Sequence, residues 1–133
     1  EGSGRTVATF TGDIVYSFTI TTGELHMGMG FYDIAEDGTY SNANNVGSQG
    51  SMTVAFFYSG GDDSVKYGGA QVESSVTWSD GDTFKLVRVG TDIEMFKNDV
   101  SLHDFSQTSS AEMRIQLGGS NNGLEIDDIQ WIT

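Results

Sequence analysis

The chain predicts an all-β protein, a sandwich or barrel of about ten short antiparallel strands. Three observations carry this. Apolar and polar residues alternate with period two over run after run, the pattern of strands with one buried face. Turn-forming Gly, Asn, Asp and Ser residues separate the runs at short intervals. No stretch has helical periodicity, and the Ser106–Ser110 segment is too short and serine-rich to supply one.

The clearest element is Phe84–Val89, where Phe84, Leu86 and Arg88 share one face while Lys85, Val87 and Val89 share the other. A Gly90-Thr91 turn leads into Ile93–Lys97, and Asn98-Asp99 leads into Val100–Phe105, giving a three-stranded meander. Earlier in the chain, Thr6–Phe10 and Ile14–Ile20 read as strands, the second with Ile14, Tyr16, Phe18 and Ile20 in one phase. Leu25–Tyr32 follows, with Leu25, Met27, Met29 and Phe31 on one face and His26, Gly28 and Gly30 on the other, where bare backbone admits a close neighbour. Met52–Tyr58, Val65–Tyr67, Gln71–Trp78, Ala111–Leu117 and Leu124–Ile132 complete the set. In the last of these, Leu124 and Ile126 are out of phase with Ile129 and Trp131. A bulge near Asp127-Asp128 restores all four to the core.

A length of 133 residues suits one domain. Residues 1–5 read as a linker or processed N-terminus and residues 6–133 as the domain. Eighteen glycines serve turns, and the absence of cysteine excludes disulfides and thiolate metal sites. Nineteen acidic residues against six basic ones give a net charge of −13, which repels nucleic acid and anionic membranes. No apolar run is long enough for a helix to cross a bilayer.

The runs Gly81-Asp82-Thr83-Phe84-Lys85-Leu86-Val87-Arg88 and Ile93-Glu94-Met95-Phe96-Lys97-Asn98-Asp99-Val100, with the closing Leu124-Glu125-Ile126-Asp127-Asp128-Ile129-Gln130, resemble the concanavalin A-like lectin/glucanase (LamG-like) modules. The resemblance covers about half the chain and implies a single-domain antiparallel β-sandwich of jelly-roll type. It further implies a carbohydrate-binding, lectin-like module. Asp99 stands where that family's turn has glycine, a position that Asn and Asp tolerate with some strain.

Sites follow from residue chemistry. Glucanases of that group carry Glu-x-Asp-x-x-Glu, but here Glu125-Ile126-Asp127-Asp128-Ile129-Gln130 ends in a glutamine, which cannot exchange the catalytic proton. The expectation is therefore a protein that is not an enzyme, with no catalytic residues. Asp33–Gly50 lacks periodicity and reads as a long functional loop. Its Asp33, Glu36 and Asp37 gather hard oxygen ligands that suit calcium. Sugar rings stack on aromatic faces flanked by hydrogen-bonding groups, which singles out Tyr32, Tyr40, Asn42, Asn44, Trp78 and Asp80. His26 and His103 read as surface histidines. The functional expectation is a non-catalytic module binding a glycan or polysaccharide, extracellular or on a virion surface. Its alternative is a structural or adhesion domain of a virion fibre, capsid decoration or extracellular assembly, working as a homo-oligomer or larger assembly.

Overall fold

The computed structural model describes residues 2–5, 9–22, 26–33, 54–59, 64–67, 70–105, 112–119 and 125–132. These form eleven strands and no helix: β1 (Gly2–Arg5), β2 (Ile14–Thr22), β3 (His26–Asp33), β4 (Val54–Ser59), β5 (Ser64–Tyr67), β6 (Ala70–Ser74), β7 (Thr83–Val89), β8 (Asp92–Lys97), β9 (Val100–Asp104), β10 (Met113–Gly119) and β11 (Glu125–Ile132). Every pairing is antiparallel. One sheet has the order β1-β10-β3-β4-β5-β6 and the other β11-β2-β7-β8-β9.

The two sheets bury a shared core. Ile14, Tyr16, Phe18 and Ile20 of β2, Phe84 and Leu86 of β7, and Ile93 and Met95 of β8 face Phe31, Val65, Met113 and Ile115 of the six-stranded sheet. The β2 and β7 sets and Phe31 keep the period-two phase read from the sequence, because one slipped residue would send every apolar side chain to water. Phe18 stacks on Phe84 at 5.8 Å between centroids and lies 5.5 Å from Tyr16.

Several elements differ from the sequence expectation. Gly2–Arg5 is not a linker; it is an edge strand whose backbone pairs with Arg5 opposite Gln116 and Gly2 opposite Gly119. Ladder bonds come from the main chain, so Gly-Ser-Gly-Arg can pair without showing any apolar pattern. Phe10 makes an isolated bridge to Met113, whereas residues 6–8 of the expected first strand lie outside the described residues. Strand β6 ends at Ser74, four residues early, because Ser75 adopts a left-handed backbone (φ 59°) and the chain then crosses to the other sheet. The bulge in β11 is present: register shifts between Asp127 and Gln130, with Asp128 at φ 52°. Yet Ile129 is 57% exposed, so the bulge does not return it to the core. It sets Trp131 opposite the inward Tyr16 and leaves Ile129 as part of the extra pair facing Phe18.

Both hairpin turns of the meander have the positive φ that strand twist demands. Gly90 has φ 62°, and its N–H donates to Asp13 at 2.6 Å. Asn98 and Asp99 have φ 49° and 63°. Asn98 is tied in: its Oδ1 accepts the Thr83 N–H at 2.9 Å and its Nδ2 donates to Asp82 at 2.8 Å. Among the described residues Asp99 makes only an exposed pair with Lys85 at 2.5 Å. Asp99→Gly is therefore expected to stay within about 0.5 kcal/mol of the parent, since glycine relieves the left-handed strain and the lost surface pair is weak. Asn98→Gly is expected to cost about 1–2 kcal/mol through two lost hydrogen bonds, as urea unfolding of the two variants would show.

Arg88 and Tyr16 carry polar groups into the sandwich. Arg88 is fully buried; its Nε donates to the Gly90 carbonyl at 3.0 Å, and its guanidinium lies 5.8 Å from the Phe10 ring centroid. Burial lowers its pKa. The Tyr16 hydroxyl is buried and finds no partner among the described residues, and burial pushes its pKa up to about 12. The folded value lies above the unfolded one of about 10, so the stability from keeping this phenol protonated is intact below about pH 10 and is lost as pH rises towards the folded value. Tyr16→Phe is expected to gain about 1 kcal/mol at neutral pH by removing an unsatisfied hydroxyl. It should also flatten the alkaline loss of stability, measurable as urea midpoints at pH 8 and pH 11.

Candidate functional site

The inward phase of the six-stranded sheet is set by the buried Phe31, Val65, Met113 and Ile115. The alternate positions form its outer face, and the register aligns them in rows. Arg114 pairs with Tyr32. The next row runs Arg5, Gln116, Gly30, Ala55, Lys66 and Gln71. Beyond it lie Ser3, Gly118, Gly28, Phe57, Ser64 and Ser74, and then His26 beside Ser59. Small residues, Gly28, Gly30, Gly118 and Ala55, occupy the middle strands, and Gly30 is itself buried.

The charge on this face opposes that of the chain. Arg5, Lys66 and Arg114 are three of the six basic residues, and none of the nineteen acidic residues occupies an outward position on these six strands. Asp33 and Glu73 fall in the inward phase, opposite Met113 and Val65. Carboxylates gather instead on the other sheet, where Asp92, Glu94, Asp104 and Asp127 take outer positions or edges. Arg114 is half-buried, and its Nε is enclosed with no hydrogen-bond partner among the described residues. Glu112, just before β10, shares the phase of Arg114 and is exposed, with Thr9 as its partner. The enclosed Nε is closed to a ligand, so a carboxylate meeting Arg114 would use the terminal nitrogens of its planar guanidinium.

The sequence-read sites distribute as follows. Tyr32 stands on this face, across from Arg114, while Asp33 follows it in the opposite phase. Glu36, Asp37, Tyr40, Asn42 and Asn44 lie outside the described residues. Trp78 and Asp80 belong to the crossing segment between β6 and β7; Trp78 packs partly buried against the core, and Asp80 is exposed. The two are not on the face that carries Tyr32. Among the described residues no group of three or more acidic or histidine side chains is placed to hold a metal ion. Asp82, beside Asp80, has both oxygens engaged: Asn98 donates to one, and the Ser79 N–H and Lys97, at 2.8 and 2.9 Å, reach the other. Desolvation raises its pKa, but the bonds from Asn98, Lys97 and Ser79 and the Lys97 charge outweigh it, and the net shift is downward. A depressed folded pKa stabilises above the unfolded value and is lost as pH falls through the folded one. Asp82→Asn should therefore flatten the acid side of the stability profile below about pH 4, seen in urea midpoints at pH 3 and pH 6.

His103 is not a surface histidine. It falls in the inward phase of β9, opposite Met95, and its Nδ1 lies 2.8 Å from Glu73 of β6. The ring also packs edge-on against Phe105 at 4.9 Å. Edge strands of opposite sheets are tied here, a pairing that residues thirty positions apart do not announce.

No family model matches the chain, and no curated protein matches it. Solved structures do. The alginate lyase AlgAT5 of polysaccharide lyase family 7 aligns at TM-score 0.55 and 16% identity over 84% of this chain and 50% of its own. An alginate lyase from Corynebacterium sp. aligns at 0.54 and 14% identity over 90% of this chain and 61% of its own. Sheep galectin-11, solved with glycerol, aligns at 0.53 and 9% identity over 99% and 98%. The chain thus spans about half to three-fifths of the two lyases. Its fold is the concanavalin A-like jelly roll.

The expectation that the chain is not an enzyme is overturned by the same finding: two enzymes share its sandwich. A face assembled from one or two residues on each of several strands leaves no contiguous motif, so a missing Glu-x-Asp-x-x-Glu run has no bearing on chemistry carried elsewhere.

Proposed function

We propose that this chain recognises an acidic polysaccharide of the polyuronate class on the outer face of its six-stranded sheet. The observation that carries the reading is that Arg5, Lys66 and Arg114 take outward positions on six strands where no acidic residue does, in a chain of net charge −13. Net repulsion does not defeat this. Packed sheets lie roughly 10 Å apart, and charges beyond about 8 Å are largely screened at physiological ionic strength, so the carboxylates of the far sheet act weakly here. Glycans are what the fold neighbours' names point to, and a polyuronate is the glycan whose charge suits this face. The test is affinity electrophoresis or calorimetry with alginate, polygalacturonate and a neutral glucan, each with and without calcium. Retention by the polyuronates and not by the glucan is expected; equal behaviour towards all three would sink the reading.

A second reading, cleavage of the same polymer by β-elimination, is favoured by Tyr32 lying directly across from Arg114, with Gln116 one row away. Elimination removes the proton on the carbon next to the uronate carboxylate, forms a carbon–carbon double bond and expels the glycosidic oxygen, which takes up a proton. Arg114 and Gln116 would neutralise the carboxylate, and the Tyr32 phenol would pass the proton. Ultraviolet absorbance from the new double bond reports it. Tyr32→Phe should then abolish the signal and leave binding in place, whereas binding with no absorbance from any polyuronate discards cleavage and keeps recognition.

A further inference from the structure

The outer face of the five-stranded sheet carries a different pattern. One row crosses all five strands as Ile132, Val15, Val87, Glu94 and Asp104, three apolar positions followed by two carboxylates. The adjoining pair, Val89 opposite Asp92, repeats the change from apolar to acidic. Val89 and Ile132 are 62% and 61% exposed, large fractions for branched side chains on a sheet face. Val87, Val89, Asp92, Ile93, Glu94 and Asp104 line a cavity of about 390 Å³ at the acidic end. Lys85 in the next row pairs with Asp99 and covers the Phe96 ring at 4.9 Å, and within the cavity lining Glu94 accepts from Ser101 at 2.6 Å.

We infer that this face docks a cationic protein segment in which apolar residues alternate with lysine or arginine. The apolar row offers area from which water is readily displaced. The carboxylates at its end choose the sign of the partner and set its direction along the row. A flexible cationic stem matches the cavity, with its methylenes against Val87 and Val89 and its head at Asp92, Glu94 and Asp104. The surface lies on the opposite side of the sandwich from the cationic face, so the two can be occupied together.

The test titrates isotopically labelled whole chain with a synthetic peptide of alternating lysine and valine, following amide shifts by NMR, with an alternating glutamate–valine peptide as control. Saturable shifts centred on Val15, Val87, Val89, Glu94 and Asp104 are expected with the lysine peptide and none with the glutamate one. The double variant Glu94→Gln, Asp104→Asn should weaken binding about tenfold. Asp80→Asn with Asp128→Asn removes the same charge off the row and should leave affinity unchanged. Val89→Lys should block docking while the protein keeps its unfolding midpoint. Absence of saturation, shifts spread over both sheets, or equal weakening by the off-row pair overturns the proposal. So does peptide-independent self-association that Val89→Lys abolishes, which would make the occupant a second copy.

Discussion

Arg114→Glu is expected to weaken polyuronate binding by roughly 10- to 100-fold, the loss of one charge-assisted hydrogen-bonded contact worth about 1.5–3 kcal/mol. The position is decisive for physical reasons. Its Nε is enclosed and closed to a ligand, so a carboxylate reaches the guanidinium through its two terminal nitrogens. A carboxylate arriving there gains two parallel bonds, while a glutamate in its place repels it. Arg114→Lys keeps the charge and loses the fork, and should fall between parent and Arg114→Glu. Calorimetric titration at two salt concentrations checks this, with thermal midpoints measured alongside to separate lost binding from lost folding. Undiminished affinity in a folded Arg114→Glu protein would move the site off this face.

The largest stability effect is expected at Phe18. Phe18→Ala removes a ring that is 2% exposed, stacks on Phe84 and touches Tyr16, at the centre of the five-stranded sheet's inner face. Large-to-small changes at such sites cost about 3–5 kcal/mol, a large part of the roughly 5–15 kcal/mol that holds a domain together. Phe18→Leu should cost less, because volume is largely kept. Val89→Ala, on the opposite face of the same sheet, should change stability by less than about 0.5 kcal/mol. Urea unfolding of the three variants orders them; a Phe18→Ala midpoint equal to that of Val89→Ala would mean that the inner face is not packed as described.

The strands were legible to the extent that one of their faces is apolar. Phe84, Leu86 and Arg88 share their face in the structure as they do in the sequence, and β2 keeps Ile14, Tyr16, Phe18 and Ile20 inward. The turns at Gly90 and at Asn98-Asp99 were legible from residues that accept positive φ. Gly2–Arg5 was not, because its pairing uses only main-chain groups. The Glu73–His103 bond and the cationic face escaped for another reason. Their members are held together by ladders between strands far apart in the chain, and register between such strands is settled by packing.

Composition and alternation on their own determined the class of fold, the antiparallel strands, the inward apolar residues of β2 and β7 and the tight turns, since each is a local matter of phase and backbone angle. Which strands became neighbours was decided only in three dimensions, and with it the side of the sandwich that received Arg5, Lys66 and Arg114 and the side that received Glu94 and Asp104. A total charge of −13 records how many carboxylates there are. Whether they meet an approaching polymer depends on which sheet face they share, and that is a property of strand order, set when the core closes.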